Sequence, residues 1–445
     1  MNETPDTPRR TPLVTLITND LVAITRGRSV AADRLAGIAA HGVGWVPANL
    51  SLTPFDIIAT PNPWGSLGDL RLVPDMAARY RTAGWRAVTP FDVVACDIVE
   101  PDGVAWPGCI RSLARRALDD LRRETGLTLV TAFEQEYSIV GAAWEAAPAF
   151  SLQAVRRADP YGPELVAALE EAGVEPDVFI AEYGADQFEI SIGHTAGVAA
   201  ADRAVVVREI VRELTRLFGW RASFAPKRAP DMVGNGVHVH MSLVDGEGTH
   251  VMYDPRRPGR LSGIGGAFVA GIMRHMQALV ALTAPSPASY LRLQPHNWSS
   301  SYTWLGERDR EATLRICPLV EIGKADPARQ FNVEFRAADA TASPYLVLAA
   351  LTRAGLEGVR AKLPTPRIVD ADPTTLSEAE RMALGLIRLP TSLAAALDAL
   401  EADSTVLSWL PQPLLETYVG MKRTEIRMVE GLDDSAVCHR YGAVY

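Results

Sequence analysis

The chain of 445 residues is 48% hydrophobic and 22% charged. That length suits two or three domains, and the composition excludes a mainly disordered protein, which could not offset its chain entropy by burial. Glycine (34) and proline (31) are frequent but form no repeat, which removes collagen-like and low-complexity readings. A net charge of −9 argues against a nucleic-acid binder, which would carry a basic stripe. Nucleotides stay compatible with it where metal ions stand between carboxylate and phosphate.

Met1–Pro12 is polar and lacks the apolar core of a secretory leader. No stretch reaches the roughly eighteen apolar residues of a membrane span. Four scattered cysteines, Cys96, Cys109, Cys317 and Cys438, form no CxxC pair, so neither a zinc site nor a disulfide framework is expected. The expectation is a cytoplasmic protein. Leu13–Val30 alternates apolar and polar residues around Asn19-Asp20 and predicts a hairpin. Asn49–Asp75, rich in Pro, Gly and Asn, predicts a loop. Pro101-Asp102-Gly103 marks a boundary, giving a small β-rich domain over 13–103 and a large α+β domain over 104–445. Helical spacing predicts helices over Ile110–Glu124 and Ile264–Leu282, and Ser343-Pro344 opens another as N-cap and first turn.

The informative pattern is polar residues two apart inside apolar strands. Glu134 and Glu136 share one strand face against Phe133, Tyr137 and Ile139. His238, His240 and Ser242 oppose Val237, Val239, Met241 and Leu243; Asn332, Glu334 and Arg336 oppose Phe331, Val333 and Phe335. Glu189 opposes Phe188, Ile190 and Ile192, with Glu182 one loop earlier. Any one of these strands reads most simply as the wet face of an antiparallel sheet. Together they carry Glu, His and Arg in place of the usual Thr, Lys and Gln. Five glutamates and a histidine on one face repel unless cations sit between them, and hard carboxylates with one imidazole per site suit magnesium or manganese. Two metal sites are the sharper reading. Arg292, Arg308, Arg310 and Arg315 follow. Alone they read as a solvated helix face paired with Glu307, Asp309 and Glu311; beside a metal–carboxylate sheet they fit phosphoryl transfer from a nucleotide. Gly263-Ile-Gly265-Gly266 misses a dinucleotide fingerprint because Phe268 takes the last glycine position, and no P-loop exists. His41, His194, His250, His275 and His439 are isolated and read as structural or surface residues.

These motifs, in order, resemble those of the glutamine synthetase family from about Leu13 to Tyr445. Phe133-Glu-Gln-Glu-Tyr is similar to its ExE strand, Glu182 to Glu189 to its E…GQxE segment, and Gly236-Val-His-Val-His-Met-Ser to GMHxHxS. Ser289-Tyr-Leu-Arg-Leu resembles SYKRL, Glu307–Ile316 resembles RNRSASIRI, and Asn332–Leu346 resembles IEFRxxDxxANPYL. The resemblance implies a β-grasp-like N-terminal domain and a catalytic domain with a curved antiparallel sheet lined by metal ligands. It implies two or more Mg2+ or Mn2+ ions per site, one held by Glu136, Glu182 and Glu189, the other by Glu134, His238 and Glu334. It places His240 and Ser242 on ATP, Arg310 and Arg315 on the transferred phosphate, and Arg292, Arg336 and Gly236 on glutamate. A dodecamer of two hexameric rings is also implied.

The departures are specific. Where the family loop reads PGYEAP, the chain has Pro295-His-Asn-Trp-Ser-Ser-Ser301, with Trp298 in place of the glutamate that closes the site and helps deprotonate ammonium. The ammonium-binding Asp-Gly-Ser-Ser loop has no clear counterpart beyond Asp56, Val233 replaces an asparagine, and Asn332 replaces an arginine. No tyrosine lies between Tyr345 and Tyr418, so regulation by adenylylation is not implied. The expected activity is an ATP-dependent ligase that joins glutamate to an organic amine through a γ-glutamyl phosphate, with Trp298 at the amine. Ammonia-dependent glutamine synthesis and a non-catalytic structural relative are the alternatives.

Overall fold

The computed structural model describes residues 10–85 and 88–445; the polar N-terminal segment read from the sequence lies, up to residue 9, outside them. The expected hairpin forms from β1 (Leu13–Asn19) and β2 (Thr25–Ala31). Asp20 builds its turn, accepting the N–H groups of Val22 (3.0 Å) and Ile24 (2.9 Å) and the Nε–H of Arg26 (2.6 Å), the local bonding that makes aspartate a turn residue. With β3 (Val43–Trp45), β4 (Leu70–Arg81) and β5 (Asp92–Val99) these strands make a sheet in the order β2-β1-β5-β4-β3. The β1–β5 pair is parallel. The loop expected over Asn49–Asp75 is shorter. Pro47–Ser51 is a 3₁₀ turn and β4 begins at Leu70, where buried Leu70 and Leu72 give a two-residue alternation masked by Gly68 and Pro74 around it.

The larger sheet has nine strands: β6 (Thr128–Val140), β7 (Pro176–Ala181), β8 (Gln187–Ile192), β9 (Thr195–Ala196), β10 (Arg221–Ser223), β11 (Val237–Val244), β13 (Leu305–Glu307), β14 (Leu314–Ile316) and β15 (Val333–Phe335). Their order is β13-β14-β15-β11-β6-β8-β7, with β9 and β10 also paired to β6. All pairs are antiparallel except β13–β14, which is parallel; the chain crosses between those short strands through the tight loop that carries Arg308 and Arg310. β12 (Tyr302–Thr303) and β16 (Ile387–Arg388) form a separate ribbon.

Helices cover the apolar side of this sheet, where Phe133, Tyr137, Val239 and Phe335 are buried. Ile110–Thr125 forms as expected and ends on Gly126 in the left-handed region (φ 72°). The single helix expected over Ile264–Leu282 is two, Gly263–Arg274 and Met276–Thr283, meeting at 76°. His275 leaves the helical region at the break (φ −98°, ψ 8°), and its Nδ1 lies 2.6 Å from an Asp403 oxygen. Pro344–Arg360 starts at Pro344, but Ser343 does not cap it: its hydroxyl donates to the Asn19 side chain of β1 (2.7 Å). That helix crosses Gly263–Arg274 closely, since a Cβ on Gly271 would stand 2.0 Å from the Ala354 carbonyl oxygen. The four cysteines are buried and unpaired. Among the described residues no single helix is long and apolar enough to cross a membrane.

Arg111 ties the two sheets together. It is 2% exposed and forks onto Asp202 of the helix Ala199–Leu217 (2.8 and 2.8 Å), while also reaching Asp97 of β5 (3.2 Å) and Asp75 of β4 (2.8 Å). Tyr345 donates to the same Asp202. Truncating one member strands a buried charge, which costs about 3–5 kcal/mol. Arg111→Ala is therefore expected to lower unfolding stability by that order, and Arg111→Lys to recover only part of it for want of the planar fork. Urea denaturation of the three proteins checks this; an Arg111→Ala variant of unchanged stability would remove the clamp.

Candidate active site

Strand register assembles the polar residues. Across β8–β6, Glu189 stands opposite Glu136; across β6–β11, Glu134 stands opposite His238; across β11–β15, His240 stands opposite Glu334; and across β15–β14, Glu334 stands opposite Arg315. Directly opposed residues in an antiparallel pair point the same way, so these side chains form one row along a single face. Glu182 joins from the turn after β7, where its N–H donates to the Gln187 carbonyl oxygen (2.9 Å). All the carboxylates and both histidines expected at the site therefore converge. A Glu134 oxygen lies 2.7 Å from His238 Nδ1 and another 3.4 Å from His240 Nε2. Donor atoms of Glu134, His240 and Glu334 come within 4.8 Å of one another, a separation that suits a shared divalent ion.

The charges are unevenly compensated. Glu334 is buried, and Arg315 (2.8 Å) and Arg336 both donate to it. Burial would raise its pKa, but Arg336, then His238 and His240, overcome that and hold it near about 2. Glu134, Glu136, Glu182 and Glu189 have no Lys or Arg ion pair among the described residues. Glu134 is held low despite burial by hydrogen bonds from His238 and His240. Glu182 is pushed up by burial and by Glu136, and Glu189 is pushed up to about 10 by burial and then by Glu134, Glu136 and Glu182. Buried oxygen donors that repel one another and lack a counter-charge are the donor set that a hard divalent cation satisfies.

The segment before β11 frames the row. Gly236 donates its N–H to Glu136 (2.6 Å), and a Cβ at Gly236 would lie 2.9 Å from His238 Nε2. At Gly234 a Cβ would meet Arg292 Cγ at 2.5 Å, so glycine lets Arg292 pass beneath the loop. Arg292 is 2% exposed, donates from Nη2 to the carbonyl oxygens of Ala337 (2.6 Å) and Ala338 (2.8 Å), and keeps a buried Nε without a partner. Gln187 donates to the Gly234 carbonyl oxygen (2.9 Å) and to Asn235 (2.9 Å). On the other flank a cavity of about 440 Å³ is lined by Glu134, His240, Ser242 and Asn332, and also by His194 and His250. Nothing in the spacing of those last two histidines singles them out, because they arrive from separate loops. Asn332 Oδ1 accepts from His240 Nδ1 (2.9 Å), and the Cys317 sulfur lies 3.8 Å from the same nitrogen.

The loop bearing Trp298 is held by a residue that motif reading passed over. Glu311 accepts the N–H groups of His296 (3.0 Å) and Trp298 (2.6 Å), which fixes both residues at positive φ (62° and 52°). Arg336 links this loop to the carboxylate row: its Nη2 donates to the Trp298 carbonyl oxygen (3.4 Å) and its Nε to that of Arg310 (2.9 Å). The Arg310 side chain is exposed and its charge bears on Glu182. Asp56 lies apart, 3.5 Å from Arg26 of β2 and mostly exposed.

A metal ion held by Glu189 would compete with a proton, because burial and the neighbouring carboxylates raise the pKa of that carboxyl. A carboxyl whose folded pKa (about 10) exceeds its unfolded value contributes stability that is present below the unfolded value and lost as pH rises through 10. Metal-free protein is expected to lose melting temperature as pH rises from 4.5 to about 10, and the increment added by Mg2+ or Mn2+ to grow over that window because binding releases a proton. Thermal denaturation with and without metal measures both; an increment independent of pH would exclude Glu189 as a ligand.

Residues 107–436 match the glutamine synthetase catalytic domain and residues 6–106 its N-terminal domain. The chain is 36% identical over 441 residues to the γ-glutamylpolyamine synthetase GlnA3 of Streptomyces coelicolor, covering 95% of this chain and 91% of that one. It is 30% identical over 376 residues to the glutamine synthetase of Methanocaldococcus jannaschii, covering 80% and 79%. A crystal structure described as a novel glutamine synthase homolog superposes with a TM-score of 0.92 at 45% identity over 99% of this chain and 100% of that one. Ligand-free GmaS shares the fold, with a TM-score of 0.79 at 24% identity over 95% and 94% of the two chains. The ordered motifs, the carboxylate row they build and these matches agree: the chain belongs to the glutamine synthetase family of ATP-dependent ligases.

Proposed function

We propose that this ligase forms a γ-glutamyl amide from glutamate and an organic amine. The reading rests on the loop Pro295–Ser301, in which Trp298, exposed and tied through its backbone to Glu311 and Arg336, stands where the resemblance expects the family's ammonium-closing glutamate. The Streptomyces relative is a γ-glutamylpolyamine synthetase, a ligase of the same class. Glu311 does bring a carboxylate to this loop, and each of its oxygens accepts a backbone N–H group, so it latches the loop.

A carboxylate is a poor electrophile until one of its oxygens becomes a leaving group. In this reading ATP occupies the cavity beside His240 and Ser242, and Arg292, Arg336 and the Gly236 backbone orient glutamate. Arg310 and Arg315 stabilise charge on the phosphoryl group in flight. The amine then attacks the acyl phosphate and expels phosphate. Mg2+ or Mn2+ bound by Glu136, Glu182 and Glu189, and by Glu134, His238 and Glu334, would screen phosphate charge during both steps. The double-ring dodecamer belongs to the same proposal and is checked by mass measurement in solution.

With ATP and glutamate present, phosphate release is expected to depend on organic amines more than on ammonium. Arg310→Lys keeps the charge but loses the fork, and turnover is expected to fall about 100-fold or more. Trp298→Glu restores the acid and is expected to shift kcat/KM towards ammonium. Product analysis over an amine panel checks these points; a parent protein that prefers ammonium, or a ratio that Trp298→Glu leaves unmoved, would overturn the amine reading.

A further inference from the structure

The exposed aromatic side chains among the described residues are three, Phe150, Tyr183 and Trp298, at 55%, 54% and 53% exposure. They come from separate segments, yet they are contiguous: the Trp298 and Tyr183 rings are 5.0 Å apart, edge to face, and the Tyr183 and Phe150 rings 6.4 Å apart. Leu152, 75% exposed, lies two residues beyond Phe150. Chance exposure scatters apolar side chains singly, whereas a contiguous patch marks a binding surface. Two of the rings are presented from strained backbone, at φ 57° for Phe150 and 52° for Trp298, a conformation rare for bulky residues and concentrated at functional sites.

The strip begins at the reaction centre. Tyr183 follows Glu182 and donates its N–H to that carboxylate (3.1 Å). The Trp298 carbonyl oxygen accepts from Arg336, which also donates to Glu334, and Glu311 latches the Trp298 backbone. The strip then runs outward from the carboxylate row over Tyr183 to Phe150. Asp186, the charged residue of the turn between Tyr183 and β8, meets Arg157 at 3.0 Å. With Glu182 engaged by a metal in the reading above, this turn offers a second ammonium group no further unpaired carboxylate.

We infer that Trp298, Tyr183 and Phe150 form the specificity surface for the body of the amine, and that it takes primary monoamines with an aryl or extended alkyl chain in preference to methylamine or a polyamine. This rests on the amine-ligase reading above. The amino group points to the acyl phosphate while the body covers successive rings, each adding modest apolar contact.

The test measures kcat/KM of the full protein for methylamine, hexylamine, 3-phenylpropylamine, spermidine and ammonium, with Phe150→Ala and Tyr183→Ala alongside, and the mass of each in solution. The expected result is a preference of about 10-fold or more for 3-phenylpropylamine over methylamine, with that ratio falling several-fold in each variant and the assembly unchanged. A spermidine preference, or a ratio the variants do not move, overturns the inference while leaving organic-amine ligation standing. Altered assembly in Phe150→Ala with an unmoved ratio overturns it in favour of a surface covered by a second copy of the chain. Use of ammonium alone overturns both this inference and the amine-ligase reading.

Discussion

Mutual repulsion among five carboxylates on one sheet face is the constraint around which the structure is organised. Two guanidiniums, from Arg315 and Arg336, answer only one of them, Glu334. Glu134 leans on two imidazoles, and Glu182 and Glu189 are driven towards their neutral forms. A sheet that buried these groups for stability alone would be better served by apolar residues of the same size. Their retention on facing strands, in register, makes sense as a cage that becomes stable when divalent cations enter it. The rest of the molecule holds that register: a packed helical layer on the far side of β6 and β11, and Arg111 fastening the N-terminal sheet to the catalytic one.

Arg336 connects this electrostatic centre to the two loops beside it. Its guanidinium spans Glu334, the Arg310 backbone and the Trp298 backbone, so the loop of Arg310 and the loop of Trp298 share one anchor. Glu311 fixes the second loop from below. The carboxylate row thus matches the family motifs in residue type, whereas the loop at Trp298 carries a ring where the family motif has a carboxylate.

Much of this was legible before any coordinates, for a definite physical reason. Strand periodicity is exact enough that Glu134 and Glu136, or His238 and His240, can be assigned to one face from spacing alone, and register did the rest. The parts that were not legible depend on contacts distant in sequence. Glu311 looks like a surface ion-pair partner until the loop at 296–298 folds onto it. His275 carries no break signal comparable to proline, yet its bond to Asp403 accompanies a sharp bend in what reads as one helix. Ser343 reads as a cap, but the hydroxyl finds Asn19 of the other domain. Phe150 and Tyr183 are unremarkable singly and meet only through the tertiary fold.

The central claim is that the γ-carboxylate is activated by phosphorylation before an amine attacks it. If so, one carboxylate oxygen of glutamate must leave on phosphate. Glutamate labelled with oxygen-18 in its γ-carboxylate, incubated with the protein, ATP, Mg2+ and an accepted amine, is expected to yield inorganic phosphate carrying one labelled oxygen for each amide formed. Amide formation with unlabelled phosphate would contradict the account.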